Sequence, residues 1–220
     1  YETNLIKAPG YGTDSFTLSA KKKVLAACGL TEGDVYFLVG GTQTNDTVIS
    51  TILRPYEGVI AADTAHIATH AHMVQPRLVY LSQPTEFGTL YSLEELEDIR
   101  DICNEYKLSL YIDGARLAYA LACPKNDVSL SDLARLCDVF YIGGTKCGAL
   151  FGEAVVIPQK GNFSFSPTII KQHGALLAKG KALGVQFDTL FTDDLYFQIG
   201  EHGIKMAEKI RSGLKEKGYP

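Results

Sequence analysis

One lysine in this sequence stands among small residues: in VFYIGGTKCGALFGEA, Lys146 is flanked by Gly143, Gly144, Cys147, Gly148 and Ala149, directly after an apolar run. An amine with that much free space can take a bulky aldehyde partner. A desolvated or cationic pocket strips its proton readily enough for imine chemistry. The competing reading is a phosphate-wrapping loop of the G-x-x-x-x-G-K-[ST] kind. Here Thr145 stands where that loop needs glycine and Cys147 where it needs a hydroxyl residue, so the wrapping geometry and the magnesium-binding hydroxyl are both missing.

A second chemical group is the carboxylate of LYIDGAR. Asp113 follows an apolar run without a spacer, and a carboxylate at a buried strand end is costly unless it meets a cation. A protonated ring nitrogen on a bound heterocycle is one such cation. Arg116, three residues on, is another, through an internal Asp113–Arg116 salt bridge; its planar fork also suits a free carboxylate or phosphate. In VYFLVGGTQTN, Gly40 and Gly41 permit a tight turn and close backbone approach, and Thr42 adds a hydroxyl. A helix starting near Thr44 would aim its positive end at that loop, as in a phosphate cradle; an ordinary strand-to-helix turn explains the same glycines. His66 and His70 are four apart and could ligate zinc from one helical turn, yet no nearby carboxylate or cysteine completes a metal set. His66 is better placed to stack flat on an aromatic ring, while His70 and His72 read equally well as plain surface or core histidines.

These groups need a scaffold, and the apolar periodicity supplies one. Short runs rich in Val, Ile, Tyr and Phe at 35–39, 59–62, 78–82, 108–112, 139–142 and 154–157 predict strands. Several are separated by stretches of helical spacing, at Thr44–Leu53, Ser92–Tyr106 and Ser131–Cys137. Ser92 followed by Glu95 reads as a capping box that starts one of these helices. The alternation predicts an α/β fold with a mostly parallel sheet flanked by helices. In such sheets ligands bind beyond the carboxyl ends of the strands, so the GGT, DGAR and GGTK loops are expected to converge. Helices over 167–190 and 194–217 finish the chain. Residues 1–160 are expected to form the large ligand-binding domain, and 161–220 helices that complete it. Only fifteen residues join the second and third strands, barely enough for a parallel crossover, so sequence is expected to be missing near His70–His72.

Composition narrows the classes. A chain of 220 residues with 46% apolar content can bury a full core. The net charge of −4, without a dense Lys/Arg block, gives no footprint for nucleic acid or an anionic membrane. Lys21, Lys22 and Lys23, the longest basic run, read as a solvated helix face. No membrane span or signal peptide is expected. Five cysteines without a C-x-x-C pair suggest reduced thiols and a cytoplasmic location.

Taken in order, GGTQTN, the TAHIATH histidine, YIDGAR and GGTK resemble the fold-type I enzymes that use pyridoxal 5′-phosphate (PLP), and most closely the threonine aldolase and β-eliminating lyase family. The similarity runs from PGYGTD near the start to IKQHGALLAKG near the end. It implies the large domain of the PLP-dependent transferase fold, with the small C-terminal domain of the family expected to be absent. It further implies that Gly41 and Thr42 bind the cofactor phosphate, His66 stacks on the ring, Asp113 pairs with its nitrogen and Lys146 forms the imine. Arg116 is implied to meet the carboxylate and oxygen side of cofactor or substrate. Lys171 is implied to reach a phosphate, sometimes that of a neighbouring subunit, and Tyr11 and Glu86 to face substrate. The implied reaction is cleavage of a β-hydroxy-α-amino acid to glycine and an aldehyde, by a homodimer or homotetramer. Glu86 departs from the aldolase pattern, which commonly has histidine there, and so leaves β-elimination or transamination as rivals. A non-covalent phosphate- or nucleotide-binding protein and a catalytically silent scaffold are the readings outside PLP chemistry.

Overall fold

The computed structural model describes residues 2–61, 74–163, 165 and 167–219. Its elements run α1 (Ser15–Ala27), β1 (Asp34–Leu38), α2 (Gly41–Ile52), β2 (Glu57–Ile60), β3 (Gln75–Ser82), α3 (Leu93–Tyr106), β4 (Ser109–Asp113), α4 (Leu117–Ala122), α5 (Leu130–Leu136), β5 (Val139–Gly143), β6 (Glu153–Ile157), α6 (Pro167–Gln172), α7 (Lys181–Leu190) and α8 (Leu195–Glu216). All six expected strands form, and they make one sheet of order β1-β6-β5-β4-β3-β2. The pairs β2–β3, β3–β4 and β4–β5 are parallel, whereas β6 runs antiparallel to both β5 and β1. One reversed strand in an otherwise parallel sheet is the mixed α/β architecture that the alternating pattern predicted. Residues 62–73 of the stretch joining β2 to β3, with His66, His70 and His72, lie outside the described residues.

Because side chains alternate across a strand, each central strand feeds two cores. Leu110 and Ile112 of β4 join Phe140, Ile142, Ala154 and Val156 beneath one set of helices. Tyr111, Val139, Tyr141, Val155 and Ile157 face the other way, with Val48 of α2 and Ile170 of α6 over them. Every residue of β4, β5 and β6 is buried, which is why these strands read as unbroken apolar runs rather than alternating ones.

Local signals place the helix starts. Asp14 caps α1, its Oδ1 accepting from the Thr17 amide at 2.9 Å. The capping box at Ser92 forms: Ser92 N–H donates to Glu95 Oε2 at 2.8 Å, and Glu95 N–H to Ser92 Oγ at 3.2 Å. A second box, between Ser129 and Asp132, starts α5 slightly earlier than periodicity suggested. The helix expected over 167–190 is two helices. Gly174, at φ +71°, ends α6 with its amide donating to Lys171 O at 3.0 Å, and Ala175 is then buried before α7 begins. The basic run of α1 is also less solvated than expected. Lys21 Nζ lies 5.3 Å from the centre of the Tyr36 ring, and Lys23 Nζ is 2.8 Å from Asp188 Oδ1 on α7. Burial lowers the Lys21 pKa, with Asp34 opposing that effect.

Candidate active site

The carboxyl ends of β1, β4 and β5 do converge. Gly41, Thr42, Asn45, Asp113, Arg116 and Lys146 line one cleft of about 450 Å³, together with Tyr80, Tyr141, Glu86 and Glu153.

Asp113 is the best-supported group in the cleft. It ends β4 and is 8% exposed. Oδ2 accepts from the Tyr80 hydroxyl at 2.6 Å and Asn45 Nδ2 at 2.9 Å, and Oδ1 from the Ala115 amide at 2.9 Å and the Tyr141 hydroxyl at 2.5 Å. Asn45 is oriented in turn by the Tyr111 hydroxyl, which donates to its Oδ1 at 2.7 Å. Burial, then the nearby Asp113 charge, pushes the Tyr111 and Tyr141 pKa values up; for Tyr80 burial again leads, followed by its bond to Asp113. All three tyrosines therefore stay donors. Among the described residues no Lys, Arg or His is ion-paired with Asp113, and its four hydrogen-bond partners there are all neutral groups. The internal salt bridge to Arg116 does not form: Arg116 Nη1 lies 3.5 Å from Glu86 Oε1 at the cleft wall.

Lys146 is exposed and sits in a loop tied at both ends. The Gly144 amide donates to Glu153 Oε2 at 2.8 Å, the Thr145 amide to Gly152 O at 3.1 Å, and the Tyr119 hydroxyl to Lys146 O at 2.6 Å. Neighbouring Cys147 is buried, and burial pushes its thiol up to about 11, so it is no competing nucleophile at neutral pH. Glu153 is 3% exposed, and burial raises its pKa, with hydrogen bonds from the Gly144–Thr145 segment opposing the rise. On the cradle side, Gly40 caps α2 without any side-chain hydrogen bond, so among the described residues no side chain caps its first turn, where a helix favours an anion.

Two expected residues stand elsewhere. Lys171 Nζ lies 4.6 Å from the centre of the Tyr11 ring, and neither residue lines the cleft. Both are exposed. His66 lies outside the described residues.

Sequence reasoning missed Asn45, Tyr80, Tyr111, Tyr141 and Glu153. A signal existed for the tyrosines: Tyr80, Tyr111 and Tyr141 each sit two residues before a strand end, on the face that Ser82, Asp113 and Gly143 share. Glu153 was hidden because β6 is antiparallel, which brings its first residue, not its last, to the site.

A sheet of this order, with a caged carboxylate, an arginine and a lysine delivered to one cleft, has the layout of an α/β enzyme. The chain belongs to the beta-eliminating lyase family, whose model matches residues 67–179. It is 41% identical to a threonine aldolase of Leishmania major of known structure, with a TM-score of 0.91, over all of this chain and 76% of that one. It is 27% identical to the low specificity L-threonine aldolase of Pseudomonas aeruginosa, over 95% of this chain and 71% of that protein. A PLP-bound putative aminotransferase from Clostridium difficile, 11% identical with a TM-score of 0.68 over 96% of this chain and 65% of that one, shares the fold.

Proposed function

We propose that this protein is a PLP-dependent lyase that cleaves a β-hydroxy-α-amino acid of the threonine type into glycine and an aldehyde. The observation that carries the reading is Asp113, a buried carboxylate whose partners among the described residues are all neutral donors, in the cleft that Lys146 also lines. A cationic ring nitrogen supplies the charge that this carboxylate lacks. When bound, PLP supplies an electron sink for the pair released as a bond at the substrate α-carbon breaks.

The chain's own residues have distinct tasks in this reading. The first turn of α2, at Gly41 and Thr42, holds the phosphate by free amides and the Thr42 hydroxyl. Lys146 would hold the cofactor aldehyde through its amine. His66, which lies outside the described residues, would be the residue for the face of the ring. Arg116 would hold the substrate carboxylate and so fix the orientation of the amino acid in the cleft. Glu86, already paired with Arg116, is placed to take the proton of the substrate hydroxyl once that pair opens. We read residues 1–160 as the cofactor-binding domain and the protein as a cytoplasmic homodimer or homotetramer, in which exposed Lys171 and Tyr11 serve a neighbouring copy's site. In support, those two residues pair on the surface, away from the cleft of their own chain.

A β-eliminating activity is the second reading, favoured by a glutamate at position 86. The test is product analysis of the PLP-loaded protein. Glycine and acetaldehyde from L-threonine support aldol cleavage; a 2-oxo acid and ammonia support elimination; and neither, from protein that has taken up PLP, overturns both.

A further inference from the structure

The Asp113 carboxylate has no acceptor position left. Two donors reach each oxygen, at 2.5 to 2.9 Å, and an ionised carboxylate offers about four lone-pair sites in all. A protonated ring nitrogen can therefore pair with it only if one donor gives way. Three of the four are fixed. The Ala115 amide belongs to the backbone two residues on. Tyr141 is 1% exposed, and its hydroxyl is walled by Gly41, where a Cβ would come within 3.2 Å of it. Asn45 is held by the Tyr111 hydroxyl on its other atom. Tyr80 differs: it is half-buried and lines the cleft, as does Ser82, two residues on along the same face of β3.

We infer that Tyr80 is a place-holder whose hydroxyl occupies the acceptor site on Asp113 that a protonated ring nitrogen takes over, so that it tunes the cleft toward ligands able to displace it. The inference rests on the cofactor reading above and adds a residue that selects for the ring nitrogen. After yielding, the hydroxyl keeps its contact with Asn45 Nδ2, now 3.3 Å away, and turns toward Ser82, which lines the same cleft.

The experiment compares two probes, PLP and its 1-deaza analogue, in which a C–H replaces the ring nitrogen, by equilibrium dialysis and visible absorption. Tyr80→Phe is expected to bind PLP about fivefold more tightly, the worth of one displaced hydrogen bond, and the deaza analogue no differently. Ser82→Ala, which removes the landing place, is expected to weaken PLP binding alone. Tyr80→Phe keeps the ring that packs on Tyr111 at 5.5 Å, and a urea midpoint equal to wild type verifies its fold. Should Tyr80→Phe lose that midpoint, the Ser82→Ala comparison decides. Parallel changes for both probes, or weaker PLP binding by Tyr80→Phe, overturn the inference while leaving the cofactor reading intact. Wild-type protein that takes up no PLP overturns both.

Discussion

The Gly143 amide donates to the Gly114 carbonyl at 3.0 Å, so the loop that carries Asp113 and Arg116 is hydrogen-bonded directly to the strand end that leads to Lys146. Both positions need glycine. A Cβ on Gly143 would stand 2.5 Å from the Ala115 carbonyl oxygen, and one on Gly114 would collide with the Tyr141 carbonyl. Gly143→Ala is expected to cost about 2 kcal/mol or more, because backbone rather than a movable side chain must shift. Urea denaturation measures that loss, and PLP uptake should fall with it.

Glu153 gives a pH dependence of definite sign. Its pKa is raised above the ordinary 4.5, chiefly by burial, so over that window the folded chain binds more protons than the unfolded one. Its contribution is then fully present below pH 4.5 and is lost as the pH climbs through the raised value. Glu153→Gln should abolish that component: the stability difference between variant and wild type is expected to grow in the variant's favour across this interval. Denaturation midpoints at a series of pH values read it out, and a flat difference contradicts it.

Arg116 and Glu86 form a solvent-exposed pair 3.5 Å apart, with side chains 35% and 77% accessible. Such a pair adds little to stability. Arg116→Ala should therefore leave the melting temperature close to wild type while raising KM for the amino acid about tenfold or more, the usual scale for losing a charge-assisted carboxylate contact. Steady-state kinetics with a thermal melt separate the two effects.

Ser92→Ala removes the side chain that accepts from the Glu95 amide and is expected to cost about 1 kcal/mol without changing PLP affinity. A cooperative unfolding curve checks it.

That cap was legible because its signal is local: a serine and a glutamate three residues apart. The six strands were legible for a similar reason, since burial on both faces writes an unbroken apolar run into each of the central ones. Asp113, Arg116 and Lys146 could be picked out because charged or reactive side chains directly after such runs are rare and costly. What escaped depended on pairing. That β6 reverses, and so brings Glu153 to the site, is decided by which strands become neighbours. That Tyr80, Tyr111 and Tyr141 surround one carboxylate follows from register, in which Tyr80 stands opposite Tyr111 and Ser82 opposite Asp113. The break between α6 and α7 escaped because a lone glycine inside a helical pattern does not by itself mark an end; the left-handed conformation of Gly174 does.

The central claim is that Asp113 and Lys146 grip the same ring. It is tested most directly by adding PLP to wild-type, Lys146→Ala and Asp113→Asn proteins and recording visible absorption with bound cofactor after dialysis. The account predicts a yellow wild type, no lysine-linked band in Lys146→Ala, and markedly weaker retention in Asp113→Asn, which keeps the shape of the side chain without its charge. A colourless wild type, or a Lys146→Ala protein whose spectrum matches it, contradicts the account.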